Sequence, residues 1–210
     1  MGTKERRERE RVDTRRRILD AAREMFVQRG YEATTMRAIA DHIEYTPTAI
    51  YHHFRSKEAL LTELCTHDFR ALAQAFQRIG QVADPLERLR RIGQAYIEFG
   101  IMHPMHYQLM FMTRHPDVSG ASEIRQGDPG EDAYAFLLHA CQEAIAAGRF
   151  RRELQDPHEV AQILWAGCHG LVALHISKEH DEWVEWREVG STATRLHEVM
   201  LHGLLQPVNG

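Results

Sequence analysis

The sequence predicts an all-α fold: an N-terminal three-helix domain built around a helix-turn-helix, then a larger helical domain. Three observations carry this. Apolar residues recur at helical spacing, as Ile18, Ala22, Met25 and Phe26 do at i, i+4, i+7 and i+8. Three segments repeat one helix-start signal, Asp84-Pro85-Leu86-Glu87, Asp128-Pro129-Gly130-Glu131 and Asp156-Pro157-His158-Glu159, in which Asp caps, Pro fits the first turn and Glu reaches back. No stretch reads as a strand, and no repeat is found.

In chain order, residues 1–12 are charged and lack apolar periodicity, and read as a flexible basic arm diluted by Glu5, Glu8 and Glu10. Helix one is expected from about Thr14 to Gln28, stopped by Gly30. Helix two starts at Thr35 as N-cap and turns Ile39, Ala40 and Ile43 inward. Helix three starts at Thr46, with Pro47 where a missing N–H costs nothing and Ile50 and Phe54 as anchors. Ser56 caps a long fourth helix with Leu60, Leu61, Leu64, Leu72, Phe76 and Ile79 on one face. Further helices are expected at about 85–100, 103–113, 131–147 and 157–178, and a last one from Trp183 or Ser191 to Leu205. Residues 114–130 form the longest loop. The domain limits are 1–12 for the arm, 13–58 for the head and 59–210 for the helical body.

The 210 residues suffice for one large or two small domains with a core. The net charge of −4 hides an asymmetry. Residues 1–57 hold 13 Lys and Arg against 9 Asp and Glu, whereas residues 58–210 hold 13 against 21. A basic head on an acidic body suits a head that meets phosphates. Cys65, Cys141 and Cys168 show no CxxC spacing and read as reduced, buried thiols. No N-terminal apolar leader and no run approaching bilayer length is seen, so a cytoplasmic protein without a membrane partner is expected.

Residues 35–57, TMRAIADHIEYTPTAIYHHFRSK, carry most of the functional information. The second short helix bears small, hydroxyl and aromatic side chains where a solvent face normally carries Glu and Lys. That is the layout of a helix entering the major groove of double-stranded DNA. Thr46, Thr48 and Ala49 are short enough to approach base edges, and Tyr45 adds a base or sugar contact. Tyr51 and His52 suit flanking phosphates, while Thr35 and Arg37 grip the opposite backbone. The arm is either a disordered tail or a basic segment on DNA backbone or minor groove.

The block Arg17–Leu61 resembles the TetR/AcrR family of transcriptional regulators, through ILDAAREMFVQRGYEATTMRAIA and TPTAIYHHFRSKEALL. Trp165, with Gly167-Cys168-His169-Gly170, and His103-Pro104 with Tyr107–Phe111 resemble the subgroup with a Trp…His-Gly motif. The resemblance implies phosphate contacts by Tyr51 and Lys57, and an isologous homodimer on a palindromic operator. Two departures stand out: Glu44 where the family commonly has Gly in the turn, and Tyr45 where a small aliphatic residue is usual.

Leu164, Leu171, Leu174, Leu196, Met200 and Leu204 supply apolar faces for the dimer, or complete a monomeric core. Candidates for an apolar effector pocket are Phe69, Met102, His103, Tyr107, Met110 and Phe111, with Tyr134, Leu138, Trp165 and His169; as a class such residues are more often plain core. The effector is an unknown small molecule, and no cofactor is expected. Fourteen histidines raise metal or pH sensing, but no pair has the company of a zinc site, so no metal is expected. The function read from the chain is a ligand-released dimeric repressor. A constitutive DNA-binding protein is the alternative. An enzyme on a helical scaffold is disfavoured, since no phosphate loop, no Gly-x-Ser-x-Gly and no carboxylate–His set with metal spacing is seen.

Overall fold

The computed structural model describes residues 3–206. Among them the elements are α1 (Thr3–Arg29), α2 (Met36–His42), α3 (Pro47–Tyr51), α4 (Lys57–Gln77), α5 (Pro85–Met102), α6 (Pro104–Phe111), α7 (Ala133–Ala146), α8 (Pro157–Lys178) and α9 (Val189–Leu204). A single 3₁₀ turn, Ser119–Ala121, interrupts the long loop. An isolated bridge pairs Phe150 with Leu205, and no strand is present among the described residues.

Local chemistry sets most helix starts. Thr35, Thr46, Asp84 and Asp156 each accept a backbone N–H from the first turn of the helix they precede. Ser56 Oγ does the same for Ala59 in α4. At α7 the cap is Asp132, which accepts from Tyr134 and Ala135, not the expected Asp128. Asp128 instead closes a turn on Gly130 N, because Gly130 two residues on offers its N–H before any helix begins.

The expected arm also differs. Described residues from Thr3 onward are the first turns of α1, not a coil. The acids that dilute the arginines sit at helical spacing, and Arg6–Glu10, Arg11–Glu8 and Arg16–Asp13 pair at i,i+3 or i,i+4. A second correction concerns membranes. By length and composition α8 is apolar enough to span a bilayer, and 28% of its most apolar window is buried within the protein.

The chain divides into two compact units. The first holds the described residues up to Asp68 together with Met105–Glu123; the second holds Phe69–Pro104 and the described residues from Ile124. In the first unit, Ile18, Ala22, Met25 and Phe26 of α1 are buried with Ile39 and Ala40, Ile50, and Leu60, Leu61 and Leu64. Tyr107 and Leu109 of α6 belong to this core and are fully buried. Burying each such large side chain stabilises by roughly 1.5–3 kcal/mol.

The same unit contains a buried charge cluster. Asp68, fully buried, accepts from Arg23 Nη2 at 2.9 Å and lies 2.8 Å from His106 Nδ1 and 3.2 Å from His67 Nδ1. It joins α1, α4 and α6. Burial works against ionisation of Asp68, but the hydrogen bond from His106 and the charge of Arg23 outweigh it and hold its carboxyl below the usual range.

In the second unit α5 packs against α7, α8 and α9. Two glycines permit close approach. A Cβ on Gly93 would lie 1.9 Å from His197 Nε2, and one on Gly167 would lie 2.2 Å from Met200 Sδ. His197 is buried with its Nε2 3.3 Å from Cys168 Sγ, and burial lowers its pKa. Cys65, Cys141 and Cys168 are buried free thiols, each pushed up to about 12 by burial. They are therefore protonated and unreactive at neutral pH.

Candidate nucleic-acid interface

The interface is built from the turn inward. Glu44 carries φ +61°, the left-handed conformation that favours glycine. The turn needs it, because Tyr45 N must fold back to donate to Ala40 O at 2.9 Å. Glu44→Gly is expected to raise stability by about 0.5–1 kcal/mol, the strain relieved less the added freedom of the unfolded chain. Thermal denaturation checks it; a lowered midpoint would mean the Glu44 side chain contributes more than the backbone costs.

Beyond the turn, Thr46 Oγ1 accepts from Ala49 N at 3.2 Å and sets the start of α3. Ile50 is fully buried and Phe54 nearly so, which fixes the rotation of this five-residue helix. Thr48, Tyr51 and His52 are consequently exposed, Tyr51 at 54%. Thr46 is exposed as well, while Tyr45 and Ala49 are half-buried. At the start of α2, Thr35 and Arg37 are exposed, and Thr35 Oγ1 caps Ala38 N. His53 is half-buried, and burial, then the charges of Arg15 and Arg11, lower its pKa.

Two arginines of α1, absent from the sequence-derived set, brace this segment. Arg15 donates from Nη1 to the His53 carbonyl at 2.8 Å and from Nε to Glu63 at 2.9 Å, and lies 4.2 Å above the Phe54 ring. Arg17 donates to Tyr45 Oη at 3.3 Å with its guanidinium over the Tyr45 ring. The charge-rich context of residues 15–17 gave no way to see which arginine reached which end of α3.

Lys57 also holds the head together. Its Nζ donates to the carbonyls of Tyr31 at 2.8 Å and Thr34 at 2.9 Å, and sits 4.1 Å from the Tyr31 ring centroid. Two of its three N–H groups therefore hold the α1–α2 loop. Thr34 Oγ1 strengthens that loop by donating to Gly30 O at 2.8 Å. The Tyr31 hydroxyl meets Glu58 at 3.1 Å, and its pKa is raised to about 12 by burial and by that carboxylate.

The expected effector residues are distributed over both compact units. Tyr107, Met110 and Phe111 lie in the first unit, with Tyr107 and Met110 buried in its core. Phe69, Met102, His103, Tyr134, Leu138, Trp165 and His169 lie in the second. Met102 is largely exposed, because α5 ends there. Tyr134 stacks on His158 and lies 6.1 Å from Trp165, whose Nε1 donates to Tyr96 Oη at 2.8 Å. His169 is half-buried, and burial lowers its pKa. Among the described residues no group of three His, Cys, Asp or Glu is placed to hold a metal ion.

Of the expected dimer residues, Leu164 and Leu204 are buried within the second unit, since both face its core. Leu171, Leu196 and Met200 are half-buried, and Leu174 is 52% exposed. Ile163 and Val199, which the sequence reading omitted, are also exposed, Val199 at 66%.

Comparison with known proteins agrees with this geometry. Residues 18–64 match the profile described as bacterial regulatory proteins, tetR family, and residues 89–189 match the tetracyclin repressor-like C-terminal domain. The HTH-type transcriptional repressor KstR2 of Mycobacterium tuberculosis is 39% identical over 148 residues, covering 68% of this chain and 72% of that protein. The HTH-type transcriptional regulator UidR of Escherichia coli K12 is 47% identical over 62 residues, covering 29% of this chain and 32% of that protein. The structure of the ketosteroid transcriptional regulator KstR2 of M. tuberculosis superposes with a TM-score of 0.71 at 23% identity, covering 92% of this chain and 95% of that one. With a helix-turn-helix that presents α3 outward and relatives that are transcriptional regulators and not enzymes, this chain belongs to the TetR family of DNA-binding transcriptional regulators.

Proposed function

We propose that the chain is a cytoplasmic, dimeric repressor that binds a palindromic operator and is released by a small, largely apolar effector. The observation that carries this is the exposed face of α3, where Thr48, Tyr51 and His52 stand clear while Ile50 and Phe54 anchor the helix from behind. Thr48, Ala49 and the Thr46 methyl are assigned to base edges, with Tyr45 beside them. Tyr51, His52, Thr35, Arg37 and the remaining N–H of Lys57 are assigned to phosphates.

Dimerisation is supported by α8, an apolar helix with one face exposed, and by exposed Leu174, Ile163 and Val199. Half-buried Leu171, Leu196 and Met200 border the same helices. For the effector, the favoured group is Tyr134, Leu138, Trp165 and His169, an aromatic and aliphatic set with polar tips. One structural neighbour is a ketosteroid transcriptional regulator, in keeping with an apolar effector class.

Selection of bound sequences from random duplex DNA tests the reading. Recovered sites should be inverted repeats whose half-site centres lie about 34–36 Å apart or a multiple of that. Recovery of no consensus at low salt would overturn sequence-specific binding. If a consensus emerges, adding apolar compounds to the complex separates a ligand-released repressor from a constitutive binder.

A further inference from the structure

We infer that the free N-terminal half of α1 is a second DNA-contacting element, a helical strut whose Lys4 and Arg7 meet backbone phosphates beyond the bases that α3 faces. The inference rests on the DNA-binding reading above. Residues 4–13 are all exposed, although they continue a helix whose next turns are packed into the head. Ten residues of helix, about 15 Å, thus stand largely in solvent. A helix kept in water without burying apolar area needs another reason for its sequence.

The position of that free segment is fixed by the two braces. Arg15 reaches the carbonyl of His53 at the end of the recognition segment, and Arg17 reaches Tyr45 at its start. The recognition segment is therefore tied to α1 at residues 15–17, and the free turns begin directly N-terminal to it. At 100° per residue, Lys4, Arg7 and Arg11 fall within about a quarter-turn of Arg15, on the face that packs the head further along. Arg6, Glu10 and Asp13 fall on the opposite face.

The charges are sorted in the same way. Arg6 pairs with Glu10, and Arg16 with Asp13, so those charges are largely cancelled. On the near face Glu8 is held by Arg11, with 2.8 Å between Glu8 Oε1 and Arg11 Nη2. Lys4 and Arg7 make no ion pair with any described residue. Two uncompensated cations on the near face of a strut beside α3 are placed for a duplex, whose phosphates run past both ends of a half-site. Such contacts carry no base information; they add affinity and salt dependence.

The test compares the full-length protein with Lys4→Gln/Arg7→Gln, and with Arg6→Gln as the control on the far face. Gln keeps helix propensity close to that of Lys and Arg, and circular dichroism checks that helicity is retained. The probe is a long random-sequence duplex. Loss of two phosphate contacts should reduce the slope of log affinity against log salt by about 1.8. Between about 50 and 200 mM salt the double variant should then lose about 12-fold less affinity than the unaltered protein. The control should keep the original slope, and on a duplex trimmed to the α3 half-sites the double variant and the unaltered protein should bind alike. Equal slopes for the double variant and the unaltered protein would overturn the strut. An unaltered protein that binds no duplex at low salt would overturn the regulator reading itself, a distinct result.

Discussion

Asp68→Ala is expected to destabilise the protein by about 3–5 kcal/mol. The carboxylate is fully buried and takes Arg23 Nη2 at 2.9 Å, so its removal leaves a buried guanidinium without its main partner. It also releases His106 on α6. Total stabilities are about 5–15 kcal/mol, so this is a large fraction. Urea denaturation measures it, and a loss under about 1 kcal/mol would show that Arg23 finds a new partner at little cost. The double substitution Arg23→Met/Asp68→Leu should recover most of the loss, because neither a cation nor an anion is then buried alone.

The same group sets an acid limit. Its folded pKa lies below that of the unfolded chain, so its contribution is complete above the ordinary carboxylate range. It disappears as pH falls through the depressed value. The Asp68→Ala protein should therefore lose less stability on acidification than the unaltered one.

Thr48→Glu is expected to abolish DNA binding while leaving the fold intact. Thr48 lies in the first turn of α3, exposed, where a carboxylate suits the helix dipole. The thermal midpoint should barely move, since surface changes of this kind stay within about 0.5 kcal/mol. At the base edges assigned to Thr48 the new charge would enter the negative potential of the flanking phosphates, and like-charge juxtaposition costs several kcal/mol, more than about 100-fold in affinity. Retained binding would mean that α3 does not face the groove. A large stability loss would mean that Thr48 has a structural partner.

Much of this molecule is legible in its residues. Thr46-Pro47, Asp84-Pro85 and Asp156-Pro157 mark helix starts because capping is local, and those starts fall at the expected positions. The strained turn at Glu44 was visible as a departure from glycine. What escaped depends on distant partners. Nothing near Lys57 signals that its amine is held by carbonyls 23 and 26 residues away. Tyr107 reads equally well as pocket lining or core, and nothing in its neighbourhood in the sequence signals that α6 is counted with the head unit, where Tyr107 is fully buried. The helical start at Thr3 was hidden because charge pairs at i,i+4 resemble, in composition, the mixed charge of a coil.

The head is assembled from two stretches of chain separated by Phe69–Pro104. Cutting after α4 would leave behind Tyr107, Leu109 and the imidazole that meets Asp68. Exchange of reading heads between relatives must therefore carry the later insert along with the first helices. A graft made at the obvious linear junction would inherit an incompletely filled interior, so specificity in such chimeras is constrained by a seam that a linear alignment does not mark.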